Sequence, residues 1–162
     1  MLELKSDRSQ RADYDQDLML WYEQQHALLR QRRLAELDVD HLIEELDDAM
    51  GSLRKELASR LEVLIIHLLK CEYQPERKSR SWLGTIHEQR SALALLLEES
   101  PSLAPLAMQA AEKSYPRAVR GASVQTGLDR KIFPAAIPYS RDQLFDDDFV
   151  PAPSNFPAPR AP

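Results

Sequence analysis

The chain has 162 residues, of which 43% are hydrophobic and 29% charged, a balance typical of a globular protein with its own core. Its 21 basic and 26 acidic residues give a net charge of −5, which excludes a chain-wide positive field for nucleic acid or anionic lipid. Only four glycines are present, so the composition favours helices over a turn-rich β fold.

A first helix is predicted from Asp13 to Arg33, because apolar residues recur there at helical spacing. Aspartates at its start and arginines at its end both suit the helix dipole. The residues predicted to share one face are Leu18, Trp21, Tyr22, Gln25, Leu28 and Leu29. The preceding residues 1–12 are polar and without period, so we expect a flexible N-terminus.

The rest of the chain is organised around one long amphipathic helix, predicted from Asp38 to Gln74, where Asp38 caps the start and Pro75 ends the helix. At 1.5 Å per residue it would extend roughly 50 Å, so at least two other helices must cover its apolar stripe. The stripe comprises Val39, Leu42, Leu46, Met50, Leu53, Leu57, Leu61, Leu64, Leu68 and Cys71. Gly51 either kinks the helix or breaks it in two, and the continuous phase of the stripe favours the unbroken helix.

Two shorter helices are predicted after a connection that follows Pro75. The third helix is capped by Ser79 or Ser81 and runs to Glu99, and Arg90 interrupts its apolar face. That face consists of Trp82, Ile86, Leu93 and Leu97. The fourth helix covers residues 104–126, with Pro116 kinking or splitting it and Gly127 as its C-terminal glycine.

The chain beyond residue 127 loses its helical period. Ser140 and Gln143 match a capping box that opens one or two helical turns. Residues 128–150 are too apolar for a free linker and should pack back on the helices. Residues 151–162 contain five prolines and should be extended or disordered.

The predicted fold is therefore all-α: an antiparallel helical bundle built on one long central helix, with an irregular proline-containing C-terminal segment packed on it. The predicted organisation is a flexible N-terminus at 1–12, a single helical domain at 13–150 and a proline-rich tail at 151–162. No apolar run approaches the roughly 20 residues of a membrane span, and no signal-peptide segment opens the sequence. The lone Cys71 excludes an intramolecular disulfide and fits a reducing compartment, so we expect a cytoplasmic protein.

Several sequence blocks occur in an order that is similar to a known family. They are YDQDLMLWYEQQHALLRQRRLAELD, LIEEL, RLEVLIIHLLK, YQPERKSRSW, TIHEQR and PYSRDQLFDDDFVP, which together fall within residues 13–151. The chain resembles the bacterial domain-of-unknown-function family numbered 29. The matching positions are Asp17, Trp21, Glu44, Glu45, His67, Lys70, Pro75, Trp82 and Arg90. His41 and His87 stand where other polar residues are usual, and the resemblance implies an all-α bacterial protein but no activity.

Two groups of residues are candidates for holding a metal ion. The acidic block at residues 38–48 contains Glu44, Glu45 and Asp48, whose carboxylates are suited to a hard divalent cation, although acidic residues also favour a helix start without any ion. His67 and Cys71 are one helical turn apart, and His87 would lie at a similar level in a helical hairpin, which would suit zinc. A fourth ligand for zinc is not evident. The simpler interpretation is that the acidic block is a solvated helix start and that His67 and Cys71 belong to the core. We expect no cofactor.

The connection between the second and third helices offers a phosphate or nucleic-acid site. Arg77, Lys78 and Arg80 cluster there, with Trp82 and Arg90 further along, and cations beside an aromatic ring suit phosphates and stacked bases. The simpler interpretation is a solvated loop whose tryptophan packs in the core, so we expect nucleic acid not to be the partner.

No nucleophile motif supports a catalytic function, although the sequence does not decide whether the protein is an enzyme. The leading interpretation is a non-catalytic protein-interaction or scaffold module whose partner is another protein or a second copy of the chain. The first alternative is phosphate or nucleic-acid binding through residues 77–90. The weaker alternative is a metal-dependent enzyme that uses the acidic block at 38–48.

Overall fold

The computed structural model describes residues 14–154, and these form five α-helices and no β-strand. The helices are α1 Leu18–Arg30, α2 Val39–Tyr73, α3 Arg80–Glu99, α4 Ala107–Thr126 and α5 Arg141–Phe145. Short 3-10 helices at Leu34–Glu36, Pro75–Arg77, Pro101–Leu106 and Arg130–Ile132 join them. The all-α antiparallel bundle with a long central helix and a packed C-terminal segment is confirmed.

The chain forms two compact units, with the boundary between Gly51 and Ser52. The boundary lies inside α2, which continues through Gly51 as one helix of 35 residues, so the unbroken helix is confirmed. The first unit contains α1 and the N-terminal part of α2. The second unit contains the remainder of α2, α3, α4 and the C-terminal segment.

In the first unit, α1 begins later than predicted. Asp17 is its N-cap and accepts a hydrogen bond from the Leu20 amide at 3.0 Å, so Asp15 lies before the helix, and the predicted start at Asp13 lies outside the described residues. The helix also ends at Arg30, because the chain turns through Arg32 with a φ of 56°. Only Trp21 and Gln25 of its predicted face are buried. The prediction that Asp38 is the N-cap of α2 is confirmed, because the His41 amide donates to the Asp38 carboxylate at 3.5 Å.

The second unit holds the hydrophobic core. Leu57, Leu61, Leu64 and Leu68 of α2 are fully buried, as predicted, together with Ile86 and Leu93 of α3 and the small residues of α4. The expectation that the whole α2 stripe is covered is wrong, because the stripe is buried only from Leu57 onwards. The earlier residues Val39, Leu46, Met50 and Leu53 are exposed.

Small residues let α4 approach α2 closely. A Cβ atom at Gly121 would come within 2.7 Å of the Ile66 Cδ1 atom, so only glycine fits without displacing Ile66. The helix starts at Ala107 rather than at 104, because residues 101–106 form a 3-10 helix that contains Pro105. It is continuous through Pro116 rather than split there, and it ends at Thr126. The left-handed φ of 77° at Gly127 confirms the predicted C-terminal glycine.

The C-terminal segment packs on the core of the second unit. Phe133, Tyr139 and Leu144 are buried, and Ser140 and Gln143 form the predicted capping box of α5. Further along, Pro151 is buried, and the Ser154 amide donates to the Glu72 carbonyl at 2.8 Å. The predicted flexible N-terminus at 1–12 lies outside the described residues, and of the predicted tail only residues 151–154 are described.

Candidate functional site

Asp38 is the centre of a polar cluster in the first unit. Its carboxylate accepts a hydrogen bond from the Trp21 indole Nε1–H at 3.1 Å and contacts His41 Nδ1 at 2.7 Å. Its main-chain amide donates to the Gln25 side-chain oxygen at 2.9 Å. The residue that caps α2 therefore also fixes the two buried residues of α1.

The electrostatics of this pair favour the charged form of both partners. Desolvation alone would raise the pKa of Asp38, but hydrogen bonds from His41 and Trp21 outweigh it and hold that pKa below its ordinary value. The hydrogen bond to Asp38 raises the pKa of His41 against a smaller opposing effect of desolvation. Both side chains remain about one-third exposed, so solvent screens the pair.

Two tyrosines bind a second carboxylate beside this pair. The Tyr14 hydroxyl donates to Glu45 at 2.6 Å, and the Tyr22 hydroxyl donates to the other oxygen of the same carboxylate. The hydrogen bond to Glu45 is the main reason that the pKa of Tyr14 is raised to about 12. The Tyr14 ring also stacks on His41, with ring centroids 4.1 Å apart.

A cleft of about 650 Å³ opens beside the cluster, between α1 and the start of α2. Tyr14, Trp21, Gln25, Asp38 and His41 all contribute to its wall. Each of these polar groups already forms a hydrogen bond or a ring contact with another, and the residues that line the cleft include no serine, threonine, cysteine or lysine. The arrangement therefore accounts for how α1 is held against the start of α2, and it does not by itself supply a catalytic constellation.

An exposed apolar stripe lies on the same part of α2, and we call it the open stripe. It consists of Val39, Ile43, Leu46 and Met50, whose exposed fractions are 53%, 53%, 64% and 45%. Steps of four, three and four residues place the four side chains on one helical face. Every residue from 46 to 56 is exposed, so the helix is solvated on all sides there.

The acidic block is not gathered into an ion site. Glu45 is engaged by the two tyrosines, whereas Glu44 and Asp48 are exposed. Within residues 14–154, no three His, Cys, Asp or Glu side chains form a group that could hold a metal ion.

The three predicted zinc ligands differ in burial and in hydrogen bonding. His67 is half-buried, and its Nδ1 atom lies 2.9 Å from the Val63 carbonyl of the preceding turn, so this nitrogen carries the proton and donates. Burial lowers the pKa of His67 and raises the pKa of the fully buried Cys71 thiol. His87 is exposed on α3.

Of the five candidate residues for phosphate or nucleic acid, three are exposed cations, whereas Trp82 and Arg90 contact other parts of the chain. Arg77, Lys78 and Arg80 are exposed. Trp82 packs against the core, and its ring lies 4.3 Å from the Lys70 ammonium group. Lys70 is nearly buried, donates to Gln125 at 2.8 Å, and has its pKa lowered by desolvation.

Arg90 has a structural role that the sequence did not reveal. It is 2% exposed, and its guanidinium donates only to main-chain carbonyls of the C-terminal segment. The acceptors are Leu144 and Gln143 at 2.9 Å, Phe149 at 2.8 Å and Asp147 at 3.4 Å. A phosphate could reach this group only by displacing those carbonyls. The one available signal was a cation in the middle of the apolar face of α3.

Comparison with known families decides the classification. The family model "Domain of unknown function DUF29" matches residues 14–150. The chain belongs to this family. No curated protein and no solved structure matches it.

Several residues that carry the DUF29 resemblance have structural roles here. Asp17 caps α1, Trp21 and Glu45 hold the first unit, and Lys70 and Arg90 bind the C-terminal parts of the second unit. None of the helices in residues 14–154 combines the length and hydrophobicity that a membrane span requires.

Proposed function

We propose that this DUF29 protein is a non-catalytic protein-interaction module that binds its partner through the open stripe. The observation that carries the proposal is the exposure of Val39, Ile43, Leu46 and Met50 on one face of a regular helix. Helix-in-groove recognition uses such a set of side chains at steps of three and four residues.

The folded chain leaves the apolar surface of the open stripe in water. The buried half of α2 shows what the same periodic stripe does when another helix covers it: Leu57, Leu61 and Leu64 are at most 1% exposed. Covering the open stripe would gain roughly 25 cal/mol for each Å² of apolar surface removed from water. A partner helix would therefore complete a packing arrangement that the chain itself completes only from Leu57 onwards.

The supporting features extend to α1. Leu18, Met19, Leu20 and Leu29 are each more than two-fifths exposed, so the first unit presents apolar side chains on both of its helices. The polar cluster around Asp38 holds these two helices together by side-chain hydrogen bonds. We take the place of action to be the cytoplasm, because a single buried thiol suits a reducing compartment.

The test compares proteins retained from an extract of the native host. Immobilised wild-type chain is compared with Leu46→Glu, in which a charge interrupts the open stripe at its most exposed position. Val124→Glu is the matched control, because Val124 is 77% exposed on α4. Circular dichroism should show equal folding of all three proteins.

We expect a partner that binds the wild type and Val124→Glu but not Leu46→Glu. Retention of the same proteins by all three chains would contradict the proposal, and so would retention of none.

A second candidate function is phosphate or nucleic-acid binding at the connector, supported by Arg77, Lys78 and Arg80, which are all exposed within four residues. None of the three forms an ion pair with another residue of the described part of the chain. Binding of this kind should occur at about 50 mM salt and weaken steeply as salt rises. Absence of retention on nucleic acid at low salt would remove this candidate.

A metal-dependent activity of the acidic block would require about one bound ion per chain, which elemental analysis of the purified protein measures.

A further inference from the structure

Charge is distributed unevenly along the chain. Residues 14–51 contain ten acidic and three basic residues, a net charge of −7, whereas the whole chain carries −5. The part that carries the open stripe is therefore strongly acidic, and the remainder is slightly basic. Such an asymmetry predicts a partner of opposite charge for the acidic part.

The acidic residues lie in a row along one edge of the open stripe. Asp40, Glu44 and Asp47 each follow a stripe residue directly, and one residue along an α-helix corresponds to a rotation of about 100°. All three carboxylates are exposed, and none forms an ion pair within residues 14–154. Apolar side chains and unpaired carboxylates thus run side by side over three helical turns.

We propose that the open stripe binds a basic amphipathic helix, whose apolar face covers Val39, Ile43, Leu46 and Met50 and whose lysines or arginines face Asp40, Glu44 and Asp47. This inference rests on the proposed interaction function and names the chemical class of its partner. Such a helix supplies apolar cover and positive charge in the same parallel rows.

The charge pattern argues against the other occupants. A second copy would bring its own net charge of −7 in residues 14–51 against this one, and in an antiparallel pair its acidic row would lie beside this row, where like charges are unfavourable. An anionic lipid surface would be repelled for the same reason. A neutral amphipathic helix would cover the stripe but leave the carboxylates without counter-charges.

The inference is tested with a fluorescently labelled synthetic peptide of about 18 residues, in which leucines recur at helical spacing and lysines occupy the other positions. One control peptide has the same composition in an order without helical period, and a second replaces every lysine by glutamate. Fluorescence anisotropy at about 50 mM salt measures binding to the full chain. We expect binding of the first peptide only, with affinity that falls as salt rises.

Two variants locate the binding surface. Leu46→Gln removes the apolar contact without adding a charge that could attract lysine and should weaken binding at least about tenfold. The triple variant Asp40→Asn, Glu44→Gln, Asp47→Asn should weaken it about tenfold and reduce the salt dependence. The matched control removes three exposed carboxylates elsewhere, on α3: Glu88→Gln, Glu98→Gln and Glu99→Gln. This control should bind as the wild type does, because total charge alone does not determine the interaction.

Four outcomes would overturn the inference: no binding of the basic peptide, equal binding of the peptide without helical period, equal weakening by the α3 control, or a wild-type dimer that Leu46→Glu dissociates. The last outcome, measured by analytical ultracentrifugation, would identify a second copy as the occupant. If the peptide fails to bind while a native partner is still lost with Leu46→Glu, only the partner class is wrong. If no native partner depends on Leu46 either, the proposed function fails as well.

Discussion

Arg90 shows how a single buried cation can organise an irregular segment. Four carbonyls between residues 143 and 149 converge on its guanidinium, and a planar group with five N–H donors is suited to such a set. Desolvation lowers the pKa of Arg90, partly offset by the nearby Asp146 and Asp147. The charge is therefore stabilised mainly by main-chain dipoles.

Replacement of Arg90 by methionine should destabilise the protein by about 3 kcal/mol or more, because a charge-assisted hydrogen bond contributes roughly 1.5–3 kcal/mol and several carbonyls would lose their donor. Arg90→Lys should recover only part of this, since an ammonium group cannot reach the same acceptors together. Urea denaturation measures both effects. Arg80→Met, at an exposed site on the same helix, is the control and should change stability by under about 0.5 kcal/mol.

The Asp38–His41 pair predicts a pH dependence with a definite sign. The pKa of His41 is raised, so its contribution to stability is present below the ordinary value of 6.5 and is lost as pH rises through the raised pKa. The pKa of Asp38 is lowered, so its contribution is present above 3.8 and is lost as pH falls through the lowered pKa. The pair therefore stabilises the first unit most in the window between these two values.

An NMR titration of the imidazole resonances checks this prediction. His41 should titrate above 6.5, and Asp38→Asn should move its pKa downwards. His67 serves as an internal control, because burial lowers its pKa and Asp38 is not among the causes of that shift. A His41 pKa that does not respond to Asp38→Asn would show that the pair is not formed in solution.

At the scale of the helix, α2 combines two different environments. Its C-terminal part is surrounded by the core, whereas residues 46–56 are exposed on every side. An isolated helical stretch of this length is only marginally stable in water, and Gly51 lowers its stability further. The exposed part of α2 is therefore where helical structure should be lost most readily.

Gly51→Ala should stabilise this stretch by about 0.5–1 kcal/mol, because a Cβ at Gly51 would meet no atom within 4 Å and alanine restricts the unfolded chain. Gly121→Ala is the informative contrast, since Ile66 would have to shift to admit the new methyl group. Hydrogen exchange of the amides in residues 46–56 should slow in the first variant. Unchanged exchange there would show that the glycine does not limit the stability of the helix.

The sequence predicted where the helices lie, but it did not predict which of their apolar residues are buried. The stripe from Val39 to Cys71 has one continuous period, and nothing in that period distinguishes Leu46, which is exposed, from Leu61, which is buried. Burial depends on which other elements reach a given turn, and α3, α4 and the C-terminal segment pack only around the later turns. Local signals such as the Ser140–Gln143 capping box and Gly127 were predicted correctly because they act within a few residues.

The candidate sites show the same limit. Arg90 was grouped with Arg77, Lys78 and Arg80 because the four are close in sequence, yet it points to carbonyls more than fifty residues away. The link between Trp21, Gln25 and Asp38 joins two helices whose faces could be predicted, but the hydrogen bonds between them could not.

For the whole molecule, the C-terminal segment is expected to be required for stability. Ending the chain at Gly127 would remove Phe133, Tyr139 and Leu144 from the core, each contributing roughly 2 kcal/mol, out of a typical total of about 5–15 kcal/mol. It would also remove the four main-chain carbonyls that accept hydrogen bonds from Arg90. Ending the chain at Pro151 should cost only about 1 kcal/mol, from loss of the Ser154–Glu72 hydrogen bond.

Thermal unfolding followed by circular dichroism separates the two truncations. The chain ending at Gly127 should melt many degrees lower or aggregate, and the chain ending at Pro151 should melt within a few degrees of the full chain. Equal melting temperatures would show that residues 128–150 do not contribute to the core.

The distance along the chain between Arg90 and its acceptors has a consequence during synthesis on the ribosome. The helix that carries Arg90 leaves the exit tunnel while its acceptors at residues 143–149 are still untranslated or inside the tunnel, so the guanidinium must stay hydrated until they emerge. At about 5–20 residues per second, the nascent chain spends several seconds in this state. The second unit can therefore reach its final packing only after residues 143–149 have left the tunnel, and until then its nascent core is available to chaperones.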